Sequence, residues 1–266
     1  MNLMLNNRLI TLTIVLLFTF SSGFAQKNAT YADQNLNSTL WFQNSGENYL
    51  LYQQIYDLAK IRLINNLAAS ESDKPKAVVL DIDETVLDNS PYNAYLITQG
   101  ESYKKETWNE WASSGTAKAL PGAVEFTKFA KSIGVEVFYI SNRSVVTQDG
   151  TVKNLQAENF PNANDDHVFL KSETSDKTSR RNIVKENFEI ILFLGDNLRD
   201  YSEIFIKPEM SIHNMVDNHR DELMEKFIVF PNPMYGEWEA ESFGHDYNQT
   251  DKEKTKKKKD SLKDWK

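Results

Sequence analysis

K-A-V-V-L-D-I-D-E-T-V-L-D, residues 76–88, is the stretch that decides how this chain is read. Its apolar run, Ala77 to Leu80, has the length and β-branched character of a buried strand. The run stops at Asp81, and Asp83, Glu84 and Thr85 follow. In an extended chain, residues two apart point the same way, so Asp81 and Asp83 start from one side of the strand's carboxyl end. Open α/β sheets bind their ligands at that end. Two carboxylates held close together repel each other unless a proton or a cation intervenes. The stretch therefore asks for a metal.

Working outward, 266 residues with 40% hydrophobic content suit one large domain, or one core with an attached lid. A net charge of −8 gives no general attraction to a nucleic-acid polymer or an anionic membrane. Cysteine is absent, which excludes disulfides, cysteine nucleophiles, cysteine metal sites and lipid attachment through a cysteine. Residues 1–25 read as a secretory signal. Asn6, Asn7 and Arg8 precede an apolar run from Leu9 to Phe20, and small residues lead to cleavage near Ala25 or Gln26. The apolar run is short for a membrane span of roughly 20 residues. The expectation is a periplasmic or secreted protein with no stable membrane anchor.

Residues 27–45 are polar and Asn-rich and read as an extended leader, with Ser45 as a cap for the helix that follows. Leu50, Leu51, Ile55, Leu58, Ala59, Ile61, Leu63 and Ile64 then recur at helical spacing between Glu47 and Ala69. Between Leu87 and Leu120 the chain is aromatic, helical and without a convincing strand, which predicts a small lid inserted after the first strand. Beyond Pro121-Gly122, helices are expected at Ala123–Ser132, 144–158, Thr178–Glu186, Leu198–Ile206 and Asn214–Lys226. Strands are expected at Val135–Ile140, His167–Leu170, Glu189–Leu194 and Phe227–Phe230. This alternation argues for a parallel sheet with right-handed crossovers. The tail, 251–266, reads as a solvated, charged end with a lysine run at Lys256 to Lys259.

Three of these strands end in polar clusters: Asp81/Asp83, Ser141/Asn142/Arg143, and Asp196 with Asp200. In a parallel sheet such ends share one edge. D-I-D-E-T, I-S-N-R and G-D-N-L-R-D-Y, in this order, resemble the haloacid dehalogenase superfamily, and more narrowly the class C acid phosphatases that act on 5'-nucleotides. W-F-Q-N-S at 41–45, L-D-N-S-P-Y at 87–92, P-G-A-V-E-F at 121–126 and P-N-P-M-Y-G-E-W-E at 231–239 extend the resemblance over roughly residues 40–240. It implies an α/β fold: a parallel-sheet, Rossmann-like core with helices on both faces and a small helical cap. The phosphatase domain is then 26–266. Its core lies at about 70–86 and 121–235, and its cap at about 40–69 and 87–120.

The resemblance also implies roles. Asp81 is the nucleophile that forms an aspartyl-phosphate. Asp83 protonates the leaving oxygen and then takes a proton from water, which calls for a raised pKa and a mildly acidic optimum. Ser141, with the backbone N–H of Asn142, holds a phosphoryl oxygen. A lysine neutralises the phosphoryl charge; Lys177 matches the family position and Lys171 competes with it. Mg²⁺ is held by Asp81, the carbonyl of Asp83 and Asp196, with Asp200 in support. Trp108 and Tyr235 match positions whose rings sandwich a nucleobase, or else are packing aromatics. Trp111 reads as the packed face of its helix. The family's lipoproteins carry a lipidated cysteine that this chain lacks, and the family suggests a homodimer.

Rival readings are a broad phosphatase or phosphotransferase, and a non-catalytic nucleotide-binding surface protein. The four histidines have no metal-ligand spacing, and no Walker loop, G-x-G-x-x-G or G-x-S-x-G occurs.

Overall fold

The computed structural model describes residues 29–265; the expected signal, 1–25, lies outside them. The strands are β1 (Lys76–Leu80), β2 (Leu87–Asp88), β3 (Lys118–Ala119), β4 (Glu136–Ser144), β5 (Val168–Lys171), β6 (Glu189–Gly195) and β7 (Phe227–Val229). Five of them make one sheet in the order β5-β4-β1-β6-β7, and every pairing in it is parallel. β1 is the middle strand. Its last residue, Leu80, pairs with Tyr139 on one side and Leu194 on the other. The segments after all three residues therefore emerge along one edge, where the sheet's direction of construction switches.

The residues of β1 from Ala77 to Leu80 are all buried, as befits a parallel strand covered on both faces. Alternation divides them. Val78 and Leu80 join a cluster with Tyr52, Tyr56, Leu63 and Phe126, while Ala77 and Val79 join another with Phe193, Phe205 and Phe227. The helices that supply these layers are α1 (Leu36–Asn44), α2 (Gly46–Ala69), α3 (Ser90–Gln99), α4 (Lys105–Ser114), α5 (Ala123–Ser132), α6 (Gln148–Ala157) and α7 (Thr178–Asn187). They continue as α8 (Leu198–Tyr201), α9 (Ile212–Asn218), α10 (Arg220–Lys226), α11 (Glu237–Ser242) and α12 (Asp251–Asp260). α2 and α5 cover one face of the sheet; α7, α8, α9 and α10 contribute to the cluster on the other.

The structure departs from the sequence reading in four places. First, α2 is a helix as expected, and the Ser45 hydroxyl accepts from the N–H of Asn48 at its start. Its inward face keeps the expected Ala59 and Leu63 but adds two tyrosines in place of several leucines and isoleucines. Leu50, Leu58, Ile61 and Ile64 are exposed, and Tyr52, Tyr56, Ala59 and Leu63 are buried. The tyrosines go in because their hydroxyls find acceptors, the carbonyls of Glu84 and Thr85, each at 2.6 Å. This packing also places α2 in the core layer, whereas the sequence reading assigned residues 40–69 to the cap.

Second, the supposed extended leader is a 3₁₀ turn at Ala32–Asn35 followed by α1. Ala32 packs against Tyr92 and Leu96 of the lid, so tertiary contact organises a segment with too few apolar residues to show a period. Third, β2 and β3 form an antiparallel ribbon at the lid's base. Two residues per strand are too few to reveal alternation. Fourth, the tail is helical. Thr250 and Glu253 form a capping box at the start of α12.

Candidate functional site

Asp81 directly follows β1, and its N–H donates to the Leu194 carbonyl of β6 at 2.9 Å. This ties the acidic loop to the neighbouring strand. Tight bonds from Val86 and Leu87 back to the Ile82 carbonyl turn the chain, and Glu84 takes a left-handed conformation at φ 54°. Asp196 directly follows β6, and Asp200 lies within α8. Gly195 permits the close approach of Asp200: a Cβ there would lie 2.2 Å from a carboxylate oxygen of Asp200.

Ligand atoms of Asp81, Asp196 and Asp200 all lie within 4.8 Å of one another. Lys177 is buried among them. It pairs with Asp81 and, at 2.6 Å, with Asp200. Lys171 sits at the end of β5 and makes no contact with these acids among the described residues. Of the two lysines, Lys177 is the one at Asp81.

Burial pushes Asp81 up to about 7; Lys177 opposes the rise, and Asp200 and Asp83 add to it. Asp196 is raised well above the usual carboxylate range by burial and by facing Asp200 and Asp81. Asn232 donates to Asp196 at 2.8 Å and lowers it in part. The carboxylates of Asp81, Asp83, Asp196 and Asp200 outnumber the cations that touch them, Lys177 and Arg143. Oxygen donors in an excess of negative charge suit a hard divalent cation such as Mg²⁺. The residues present thus fit the expected metal.

Asp83 stands apart from that cluster. Arg143 and the Asn89 amide both donate to its Oδ1 at 2.8 Å. Its Oδ2 receives the Ser141 hydroxyl at 3.3 Å. With Oδ1 committed, Oδ2 is the oxygen left for proton transfer. Ser141 is buried, and Asn142 is exposed to the cavity.

Arg143, Arg180 and Arg181 carry structural duties that the sequence reading missed. Arg143 is 1% exposed and also donates to Asn89 and Thr151. Arg180 donates to the Ser141 carbonyl at 2.5 Å and to the Asn142 side chain at 2.8 Å. Arg181 reaches the Arg199 and Asp200 carbonyls. The basic helix α7 thus clamps the ends of β4 and β6 around Lys177. The burial of both arginines shows the clamp.

The cluster opens into a cavity of about 900 Å³ lined also by Trp108, Tyr235 and Asn142. Trp108 meets Tyr92 edge-on at 5.1 Å, with the Arg143 guanidinium 6.0 Å from its ring. The Tyr235 hydroxyl donates to Glu84, which is fully buried and raised well above the usual range by desolvation and by Asp83 and Asp196. Trp111 is partly buried against the main core, and its indole donates to Asn89 at 2.8 Å.

The model of the HAD superfamily, subfamily IIIB (Acid phosphatase), matches residues 19–238. The chain belongs to this acid phosphatase family. A class C acid phosphatase from Bacillus anthracis is 39% identical and superposes with a TM-score of 0.84, over 89% of this chain and 99% of that one. A second structure of a Bacillus anthracis class C acid phosphatase, with tungstate bound, matches at the same identity and TM-score over 88% of this chain. Acid phosphatase 1 of Solanum lycopersicum is 32% identical over 165 residues, and a stem 31 kDa glycoprotein of Glycine max is 26% identical over 163. The chain spans 57% of the tomato protein and 58% of the soybean one. The α/β architecture with its parallel sheet is therefore the acid phosphatase fold of this family.

Proposed function

We propose that this chain is a secreted, Mg²⁺-dependent phosphomonoesterase acting through an aspartyl-phosphate at Asp81. The observation that carries the reading is the meeting of Asp81, Asp196 and Asp200 around Lys177 on the carboxyl edge of a parallel sheet. Asp81 attacks phosphorus, and the P–O bond to the leaving alkoxide breaks. Asp83 Oδ2 gives that alkoxide its proton. Water then attacks the phosphorus of the aspartyl-phosphate; its proton returns to Asp83, and Asp81 is freed with release of phosphate. Ser141 and the Asn142 N–H hold phosphoryl oxygens, and Lys177 offsets their charge. Asp81, the Asp83 carbonyl and Asp196 would hold Mg²⁺, with Asp200 beside them. The ion would screen the anionic nucleophile from its anionic substrate. Tungstate, bound by the Bacillus anthracis class C acid phosphatase, is a tetrahedral oxyanion like phosphate.

Nucleoside 5'-monophosphates are the proposed substrates, with Trp108 and Tyr235 facing the base. The broad-phosphatase reading also has an observation in its favour: both aromatics hold other partners, Tyr92 and Glu84. Trp108→Ala tests the choice. A loss of kcat/KM confined to nucleotides supports a base site, and an equal loss on glycerol phosphate supports packing. Secretion rests on the leader at residues 1–25, and no helix among the described residues is long and apolar enough to cross a membrane.

The experiment is phosphate release from a nucleoside monophosphate with Mg²⁺, with EDTA, and by Asp81→Asn. Turnover should stop with EDTA and fall on the order of 10³-fold or more in the variant. Full activity of a verified Asp81→Asn protein ends the reading.

A further inference from the structure

The charged tail was the least promising stretch of the sequence, yet α12 reaches the same cavity as Asp81. Asp251 and Lys254 line the cavity together with Phe243 and Tyr247. Three separate segments hold α12 in place. The Ser102 hydroxyl, between α3 and α4, donates to Asp251 at 2.7 Å. The Gln34 amide donates to the Thr255 hydroxyl at 2.7 Å. Lys258 pairs with Glu239 of α11 at 2.6 Å and stands 4.9 Å from the Tyr31 ring. These ties join residues 31–34, the lid and α11 to the tail.

The charges lining this cavity are unevenly matched. Lys177 pairs with Asp81, Arg143 with Asp83, and Arg199 with Glu237. On the acidic side, Glu101 pairs with Lys104, Glu239 with Lys258 and Asp200 with Lys177, while Asp196 takes the Asn232 amide, Asp176 takes Thr178 and Asp251 takes the Ser102 hydroxyl. Lys254 is half-buried and makes no ion pair among the described residues; its ammonium lies 5.7 Å from the Phe243 ring. A half-buried ammonium without a carboxylate partner favours an incoming anion. Asp81 and Lys177 already serve the scissile phosphate, so this anion is a second one.

We propose that α12 forms the outer wall of the substrate cavity and that Lys254 selects phosphomonoesters carrying a second phosphate or carboxylate. The proposal rests on the phosphomonoesterase reading and adds a specificity-determining residue to it. It assigns the tail to substrate choice.

The test compares KM for a nucleoside 3',5'-bisphosphate with KM for the matching 5'-monophosphate, scored by release of the 5'-phosphate. The wild type should favour the bisphosphate. Lys254→Met keeps an apolar stem on Phe243 and should raise the ratio of the two KM values about tenfold, the scale of one lost charged hydrogen bond. Lys254→Arg should keep the wild-type ratio. An unchanged ratio in Lys254→Met, or an equal rise for both substrates, overturns the proposal while leaving phosphatase activity standing. A wild type that releases phosphate from neither substrate overturns the phosphomonoesterase reading itself.

Discussion

Asp81 is held where burial and charge oppose each other. An unfolded aspartate ionises near 3.8, while in the fold Asp81 is pushed up to about 7, with desolvation the main cause. Asp196 and Glu84 are raised for the same leading reason. Between those two pH values the unfolded chain binds fewer protons than the folded one, so stability falls as pH rises from about 4 to 7. For Asp81 alone the loss is of order 4 kcal/mol. Thermal melts in EDTA should therefore give a Tm that drops across this window. Mg²⁺ should recover more of it at pH 7 than at pH 5, because the ion favours the ionised carboxylates. A Tm that rises with pH in EDTA contradicts this account.

At this scale the sequence singled out Asp81, Asp196 and Asp200 at the ends of apolar runs, and the structure brings their carboxylates within 4.8 Å of one another. The sequence did not show what restrains the acids. Asn89 lies six residues from Asp83, while Arg143 and Asn232 reach Asp83 and Asp196 across 60 and 36 residues of chain, so the quoted motifs contain all three but do not say which acid each one holds.

Among the elements, α2 shows how a correct helix can carry a partly misread face. Leu50, Leu58, Ile61 and Ile64 point outward, and the inward face is built from the expected Ala59 and Leu63 together with Tyr52 and Tyr56. Periodicity counts apolar side chains; it does not see that a tyrosine with an acceptor for its hydroxyl is a good core residue. The two faces make opposite predictions. Leu63→Ala should cost about 2–5 kcal/mol in a denaturant titration. Ile61→Gln, at 58% exposed, should stay within about 0.5 kcal/mol of wild type. The reverse ranking contradicts the packing described here. α12 repeats the lesson, since its capping box was present in T-D-K-E but masked by a charge run that suggested a loose end.

At the scale of the whole molecule, the order β5-β4-β1-β6-β7 explains the site without further assumptions. β1 is flanked by β4 and β6, and the strands that end in functional clusters are those three. The alternation of strands and helices made this legible. The lid was less so, because its contacts join α3 to Ala32 and the loop between α3 and α4 to α12. Such closures depend on sequence-distant pairs, and composition alone marks both partners as polar surface. The resulting cavity has a floor where the acids lie at strand ends and a wall assembled from three parts of the chain.

The central claim is that Asp81 is transiently phosphorylated. The most direct measurement is acid-quenched trapping with a phosphate-labelled nucleoside monophosphate and Mg²⁺, followed by peptide mapping. The account predicts label on the peptide containing Asp81, lost in Asp81→Asn and in EDTA. Steady turnover by the wild type with label on another peptide, and Asp81→Asn turning over at the wild-type rate, would contradict it.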